Sequence, residues 1–326
     1  MGAASSYLII ANATSGRGRG RGQRTAKAVA GTLRTCGKDV EIKWTTSAGD
    51  GRRLAMQACE RDADRPTCVV ACGGDGTIQQ VAGALAEQRE RIGDDCPSMG
   101  LAPAGRCNDF ARALGVPRDP QGIADVLVSG TETPVDLGRA NGRYFCTVAT
   151  LGVDAEVSRF VDAMRMPLRG TLAYVYGALR VLARYRPTFV RIEGAFGVIE
   201  KAVFLASTAN TASYGGAIEI APDAVATDGL LDLCVIDHVS RVRAFVMLPR
   251  VLLGWHRSHP GVAFYRSSRL RIESDEPLEL WADGERLGQT PVTIEAVKKA
   301  VRILLPAKLG ATDYTGHDRR EPEGTA

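Results

Sequence analysis

Thr67-Cys68-Val69-Val70-Ala71-Cys72-Gly73-Gly74-Asp75-Gly76-Thr77 is the stretch on which the reading of the chain turns. Its first half is short, Val-rich and nearly continuous in apolar residues, the pattern of a strand covered on both faces. It breaks at Gly73-Gly74, and beyond the break Ile78, Val81, Ala82 and Leu85 recur at helical spacing. A buried strand, a glycine turn and a helix in that order predict a parallel sheet with crossover helices. Neighbouring segments repeat the pattern. Residues 7–12 form a compact apolar run that enters the loop Asn12-Ala13-Thr14-Ser15-Gly16, residues 40–46 are a second strand, and residues 99–103 a fourth. Asn108-Asp109 then cap a short helix whose Phe110 and Leu114 share a face, ended by Gly115 and Pro117.

From about Val135 alternating apolar segments with turn residues between them take over, at 144–153, 188–193, 201–207, 230–236, 270–273, 278–281 and 301–305. They predict an antiparallel sheet or sandwich. The expected fold is α/β + β: an N-terminal Rossmann-like parallel α/β domain over residues 1–138, an antiparallel β-sandwich-like domain over 139–311, and a flexible polar tail over 312–326. A helix over 171–186 interrupts the second domain, with Leu172, Val175, Tyr176, Leu179 and Leu182 on one face.

The bulk properties narrow the function. A chain of 326 residues, 45% hydrophobic and 24% charged, is globular and long enough for two cores. A net charge of +4 is too mild to demand a nucleic-acid partner, and none is expected. Arg17, Arg19, Arg21, Arg24 and Lys27, interleaved with Gly18, Gly20 and Gly22, read as a basic lip over phosphates or as a solvated loop; an RGG-like nucleic-acid segment would carry aromatics. The 8 cysteines include no CxxC pair, which points to reduced thiols and a cytoplasmic setting. Cys68 and Cys72 are read as core residues and His256 and His259 as packing, since neither pair has the further ligands that zinc requires. No apolar run reaches the 18 or so residues of a membrane span. Met1-Gly2 opens a solvated leader in preference to an acyl anchor.

Three loops carry the chemistry. Glycines at 73, 74 and 76 let backbone approach a ligand and adopt positive φ, while amides at the following helix start hold phosphate oxygens. A carboxylate at Asp75 beside phosphates makes sense with a divalent cation between them, so the loop indicates a nucleoside triphosphate with Mg²⁺. The loop at residues 12–16 lies at the same end of the sheet, where open α/β folds bind ligands. Pro103-Ala104-Gly105-Arg106-Cys107-Asn108-Asp109-Phe110-Ala111-Arg112 adds a turn, a cap and a second carboxylate.

Together these loops resemble the diacylglycerol kinase catalytic domain, shared by bacterial soluble lipid kinases, sphingosine kinases and ceramide kinases. That family carries approximately N-P-x-x-G, G-G-D-G-T and G-T-x-N-D-F-A-R in this order. Tyr214-Gly215-Gly216, Ala221-Pro222-Asp223-Ala224, Asp228-Gly229-Leu230-Leu231-Asp232 and Asp283-Gly284-Glu285 resemble its later blocks, so the likeness covers residues 7–306. It implies ATP- and Mg²⁺-dependent transfer of phosphate to a lipid hydroxyl, in a cleft between the two domains. By the same likeness Asn12, Ser15, Gly16, Thr45, Gly73, Gly74, Asp75, Gly76, Thr77, Arg106 and Asn108 would contact nucleotide. Asp75, Asp109 and Asp136 would form a carboxylate network around Mg²⁺, and Asp228 with the carbonyls of Val225 and Leu230 a structural cation site. Asp283 or Glu285 would be the base, with Asp75 also catalytic.

The chain departs from the family at Ala13 for Pro, at Arg106 for a nucleotide-contacting Thr, and at Gln79-Gln80 for Asn-Glu, the last removing a carboxylate. A kinase of a soluble acceptor, akin to NAD kinases, and a non-catalytic nucleotide or lipid sensor stand as rivals. The implied partners are a lipid substrate and, through the face of residues 171–186 with Arg165, Arg169, Arg180, Arg184 and Arg186 nearby, transient contact with an anionic membrane surface. A homodimer is admitted.

Overall fold

The computed structural model describes residues 4–16, 20–60, 66–153, 155–157, 177, 180–181, 185, 187–216, 218–237, 250 and 255–307. The tail expected over 312–326, most of the helix expected over 171–186, and Arg17, Gly18 and Arg19 lie outside the described residues.

The first half runs β1 (Ser6–Ala11), α1 (Arg21–Thr35), β2 (Asp39–Trp44), α2 (Asp50–Cys59), β3 (Cys68–Gly73), α3 (Asp75–Ile92), β4 (Ser98–Pro103), α4 (Asp109–Ala113) and α5 (Pro120–Ser129). Its strands pair in parallel in the order β4-β3-β1-β2. The period of two in a strand sends alternate side chains to opposite faces, and both faces here are covered. Tyr7, Ile9, Val70 and Cys72 pack with Val29 and Leu33 of α1 and Ile123 of α5. Leu8, Ile10, Val69 and Ala71 pack with Leu54 of α2 and Ile78, Val81 and Leu85 of α3. Each such fully buried Leu or Ile contributes about 1.5–3 kcal/mol. Because α1 lies on one face and α2 and α3 on the other, the loops after β1 and β3 diverge and leave a crevice at the strand C-termini.

The second half continues with β5 (Thr131–Ala140), β6 (Arg143–Phe145), β7 (Val148–Gly152), β8 (Thr188–Gly194), β9 (Gly197–Ala209), β10 (Leu231–Asp237), β11 (Val262–Ser267), β12 (Arg269–Ser274), β13 (Glu279–Ala282), β14 (Glu285–Gln289) and β15 (Val292–Leu305). Apart from one parallel bridge from β15 back to β4, these strands pair antiparallel. Alternate residues such as Val190, Ile192, Leu233, Val235, Leu270, Ile272 and Leu280 build their core. The fold is therefore the parallel α/β region followed by the antiparallel sandwich-like region that the sequence predicts.

β15 is where the structure goes beyond the sequence pattern. The apolar run marks only residues 301–305, yet the strand begins at Val292. Its start pairs with β12, its length with β5, and Ile303 reaches Met99 of β4, so one strand stitches the two halves into a continuous sheet. The register shifts between Val297 and Val301, and Lys299 takes a φ of 52° there. Those bulged residues break the apolar alternation and hide the strand from a reading by periodicity.

Candidate active site

Three loops meet at the C-terminal end of the parallel strands. The Asn12 N–H donates to the Cys72 carbonyl at 2.9 Å, joining the end of β1 to β3. The Asn12 Oδ1 accepts from the N–H and hydroxyl of Thr14 at 3.0 and 2.8 Å, which fixes the bend that follows. Gly16 has φ 97°, and a Cβ there would sit 2.6 Å from the Ala104 carbonyl oxygen, so only glycine lets this loop lie against the one after β4.

The glycine run itself is not left-handed. Gly74 has φ −90° and ψ −175°, and neither Gly73 nor Gly76 takes a positive φ. The expectation of positive φ in this turn is therefore corrected, and close approach is what requires glycine. A Cβ on Gly105 would lie 2.4 Å from the Gly74 Cα, so the β3 and β4 loops touch backbone to backbone. A Cβ on Gly73 would meet the Thr77 side chain at 2.5 Å, whereas Gly76 faces open space.

Asp75 binds these loops together. Its two carboxylate oxygens accept the N–H groups of Asn108 at 2.9 Å and Asp109 at 2.7 Å. The α4 N-terminus is thus capped by an acid from another loop, where a negative charge also meets the positive end of the helix dipole. Asn108, expected to cap that helix with its own side chain, instead exchanges hydrogen bonds with Gly105 at 3.0 and 3.1 Å, and has φ 52°. Arg118 holds the same loop from outside by donating to the carbonyls of Arg106 and Cys107.

Asp75, Cys107 and Asp109 form one wall of a cavity of about 270 Å³, and Thr147, Tyr214, Gly215, Asp283 and Gly284 of the second half face them. Asp283 occupies the β13–β14 turn with φ 50°. Its carboxylate accepts the Cys146 N–H at 2.5 Å, the Thr147 N–H at 3.1 Å and the Thr147 hydroxyl. Burial outweighs these donors and, with the charge of Asp75, pushes the Asp283 pKa up to about 6. Burial also raises the Asp109 pKa against the opposing pull of Arg112, and Asp75 adds to the rise. The Gly216 N–H donates to both Asp109 oxygens at 3.1 and 3.0 Å, Arg112 pairs with Asp109, and Arg112 also reaches the Gly216 carbonyl at 2.9 Å and the Ser213 hydroxyl at 3.0 Å. This latch holds the 213–216 turn of the second half over the cavity.

The other predicted positions lie apart from it. Thr45 follows β2 with its N–H on the Ala11 carbonyl, and Arg106 is exposed in the loop after β4. Gln79 donates to the Tyr144 carbonyl at 2.8 Å, and Gln80 packs against Gly51 of α2. Asp136 is 2% exposed, and its carboxylate accepts the N–H groups of Gly229 and Lys299, both at 2.6 Å. Glu285 pairs at 2.6 Å with Arg143 at the surface. Cys68 and Cys72 are buried thiols whose pKa burial pushes up to about 12, and His256 is buried with Nε2 3.2 Å from the Ile220 carbonyl. Sequence reasoning missed the roles of Thr147, Arg112 and Arg118. Arg112 alone carried a signal, one helical turn after Asp109.

A parallel α/β region thus shares an acid-lined cavity with an antiparallel sandwich-like region. Residues 6–140 match the diacylglycerol kinase catalytic domain, and residues 147–305 match the YegS C-terminal NAD kinase beta sandwich-like domain. A protein of Bacillus subtilis (strain 168) named diacylglycerol kinase is 31% identical over 299 residues, covering 91% of this chain and 95% of that protein. One of the same name from Staphylococcus haemolyticus (strain JCSC1435) is 29% identical over 316 residues, covering 97% and 92%. The crystal structure of a diacylglycerol kinase from Bacillus anthracis str. Sterne shares the fold with a TM-score of 0.70 at 21% identity, covering 92% of this chain and 96% of that one. The chain belongs to the diacylglycerol kinase family.

Proposed function

We propose that the protein is a lipid kinase that transfers the γ-phosphate of ATP to a lipid hydroxyl. The observation that carries this reading is the convergence of Asp75 and Asp109 from the phosphate-loop side and Asp283 from the sandwich side on one cavity. A cluster of acids repels a triphosphate, and a hard divalent cation would relieve it: burial, with the charge of Asp75 adding, raises the pKa of both Asp109 and Asp283. Asp75, whose two oxygens each accept one backbone amide and keep a further lone pair, is the acid that would hold Mg²⁺, which would neutralise phosphate charge when bound, whereas Asp109 is already paired with Arg112.

The chain's own groups do the rest. Backbone amides at the start of α3 would hold the phosphates, and the open space at Gly76 leaves room for them. The Asp109–Arg112 latch keeps the 213–216 turn against the acceptor side, which excludes water and fixes orientation. Asp283, rather than the Arg143-paired Glu285, is the base: its carboxylate takes the hydroxyl proton as the lipid oxygen bonds to the γ-phosphorus. The bond from that phosphorus to the β,γ-bridging oxygen breaks, and ADP leaves with the electron pair. Positioning and charge supply most of the acceleration in such a transfer.

No helix among the described residues is long and apolar enough to cross a membrane, so a lipid acceptor is reached by transient contact with the bilayer surface. The test is incubation with γ-labelled ATP and a fractionated panel containing diacylglycerol, sphingoid bases, ceramide, phosphatidylglycerol and, as soluble competitors, NAD and glycerol. Label in a lipid phosphate is expected. Label confined to a soluble acceptor, or nucleotide binding without product, contradicts the proposal.

A further inference from the structure

Away from the cavity, the loop at residues 225–232 gathers acids beside β11. The Val225 carbonyl accepts the N–H groups of Thr227 at 2.8 Å and Asp228 at 3.4 Å. One Asp228 oxygen accepts the Leu230 N–H at 2.9 Å, and the other pairs with the Arg266 guanidinium. Arg266 also places Nε 3.3 Å from Asp232, its direct cross-strand neighbour in the β10–β11 ladder. On the other side of the loop the Lys298 side chain lies over Gly229: a Cβ there would be 2.4 Å from the Lys298 Cε and 3.0 Å from its Nζ. Gly229 has φ 77° and donates its N–H to Asp136.

The family resemblance puts a structural divalent cation on Val225, Asp228 and Leu230. The donors do not fit one. The Val225 carbonyl is turned onto the amides of its own turn, and both Asp228 oxygens are engaged by protein donors. Among the described residues no group of three His, Cys, Asp or Glu side chains converges here to replace them. The ladder register itself delivers the guanidinium to the two acids, and its planar fork can bridge them as a compact cation would.

We propose that Arg266 substitutes for a divalent cation in this chain and closes the 225–232 loop without metal. The loop does not line the cavity, and the test reads unfolding rather than phosphotransfer. Thermal unfolding of the full chain without nucleotide is recorded in excess EDTA, in MgCl₂ and in CaCl₂. The wild-type midpoint is expected to respond to the cations no more than that of Asp228→Asn does. Arg266→Met is expected to lower the midpoint in EDTA by roughly 2–4 °C, and CaCl₂ or MgCl₂ should restore it as the freed Asp228 and Asp232 take the ion. An Arg266→Met protein indifferent to cations overturns the substitution. So does a wild-type midpoint that falls in EDTA by an amount that Asp228→Asn abolishes. If Arg266→Met does not fold, calorimetric titration of CaCl₂ into the wild type and Asp228→Asn decides: matching heats uphold the proposal, and a binding event present in the wild type but lost in Asp228→Asn overturns it.

Discussion

Asp283→Asn tests the proposed base. The Asp283 pKa is pushed from 3.8 to about 6, so about one molecule in ten is ionised at pH 5 and about nine in ten at pH 7. A base works ionised, so kcat/KM for lipid phosphorylation should rise about tenfold between those pH values and level off above them. The same upward shift means that the fold favours the protonated acid: the stability this group contributes is full below 3.8 and is lost as pH rises through about 6. Asparagine cannot take the proton and, with one acceptor oxygen in place of two, leaves the Cys146 or the Thr147 donors unmet; the rate should fall about 10²- to 10⁴-fold with the inflection gone. Glu285→Gln, whose carboxylate faces Arg143, should keep the inflection and stay within about twofold of the wild type. The assay is initial-rate transfer of labelled phosphate from ATP at fixed lipid, from pH 5 to pH 8. An inflection near pH 6 that survives in Asp283→Asn, or vanishes in Glu285→Gln, refutes the assignment.

Three further outcomes rest on the same geometry. Asp75→Ala removes the carboxylate that accepts the Asn108 and Asp109 amides and so uncaps α4. It should lower stability by about 0.5–2 kcal/mol in urea unfolding while abolishing transfer; retained activity contradicts its role. Arg112→Ala frees the Gly216 carbonyl and Ser213 hydroxyl, and should raise KM for the lipid by about tenfold with little change in ATP affinity; steady-state kinetics with each substrate varied would show it. Gly105→Ala forces a methyl to 2.4 Å from the Gly74 Cα and should cost about 1–3 kcal/mol of stability together with nucleotide binding, measured by unfolding and by calorimetry.

Much of this was legible because the signals were local. The strand at residues 67–72, its glycine turn and the apolar periodicity of α3 announce a covered parallel sheet and the end of it where the loops meet. What escaped depends on contacts between distant segments. The need for glycine at Gly105 comes from Gly74 passing beside it, and the capping of α4 comes from Asp75, 33 residues before Asn108. Neither leaves a trace in spacing. Asp136 reads like a third site acid until the bulge at Lys298-Lys299 brings a backbone amide onto it. Asp283 and Glu285 are equivalent as sequence, and only burial beneath the 146–147 backbone against pairing with Arg143 tells them apart.

The most direct measurement of the account is stoichiometry: ADP and phosphorylated lipid quantified together, by a coupled assay and mass spectrometry, after incubation with ATP, MgCl₂ and the best acceptor of the lipid panel. One ADP for each lipid phosphate, with both absent in Asp75→Ala, is the predicted result. ADP formed without any phosphorylated lipid, or no consumption of ATP by the folded wild type, would contradict it.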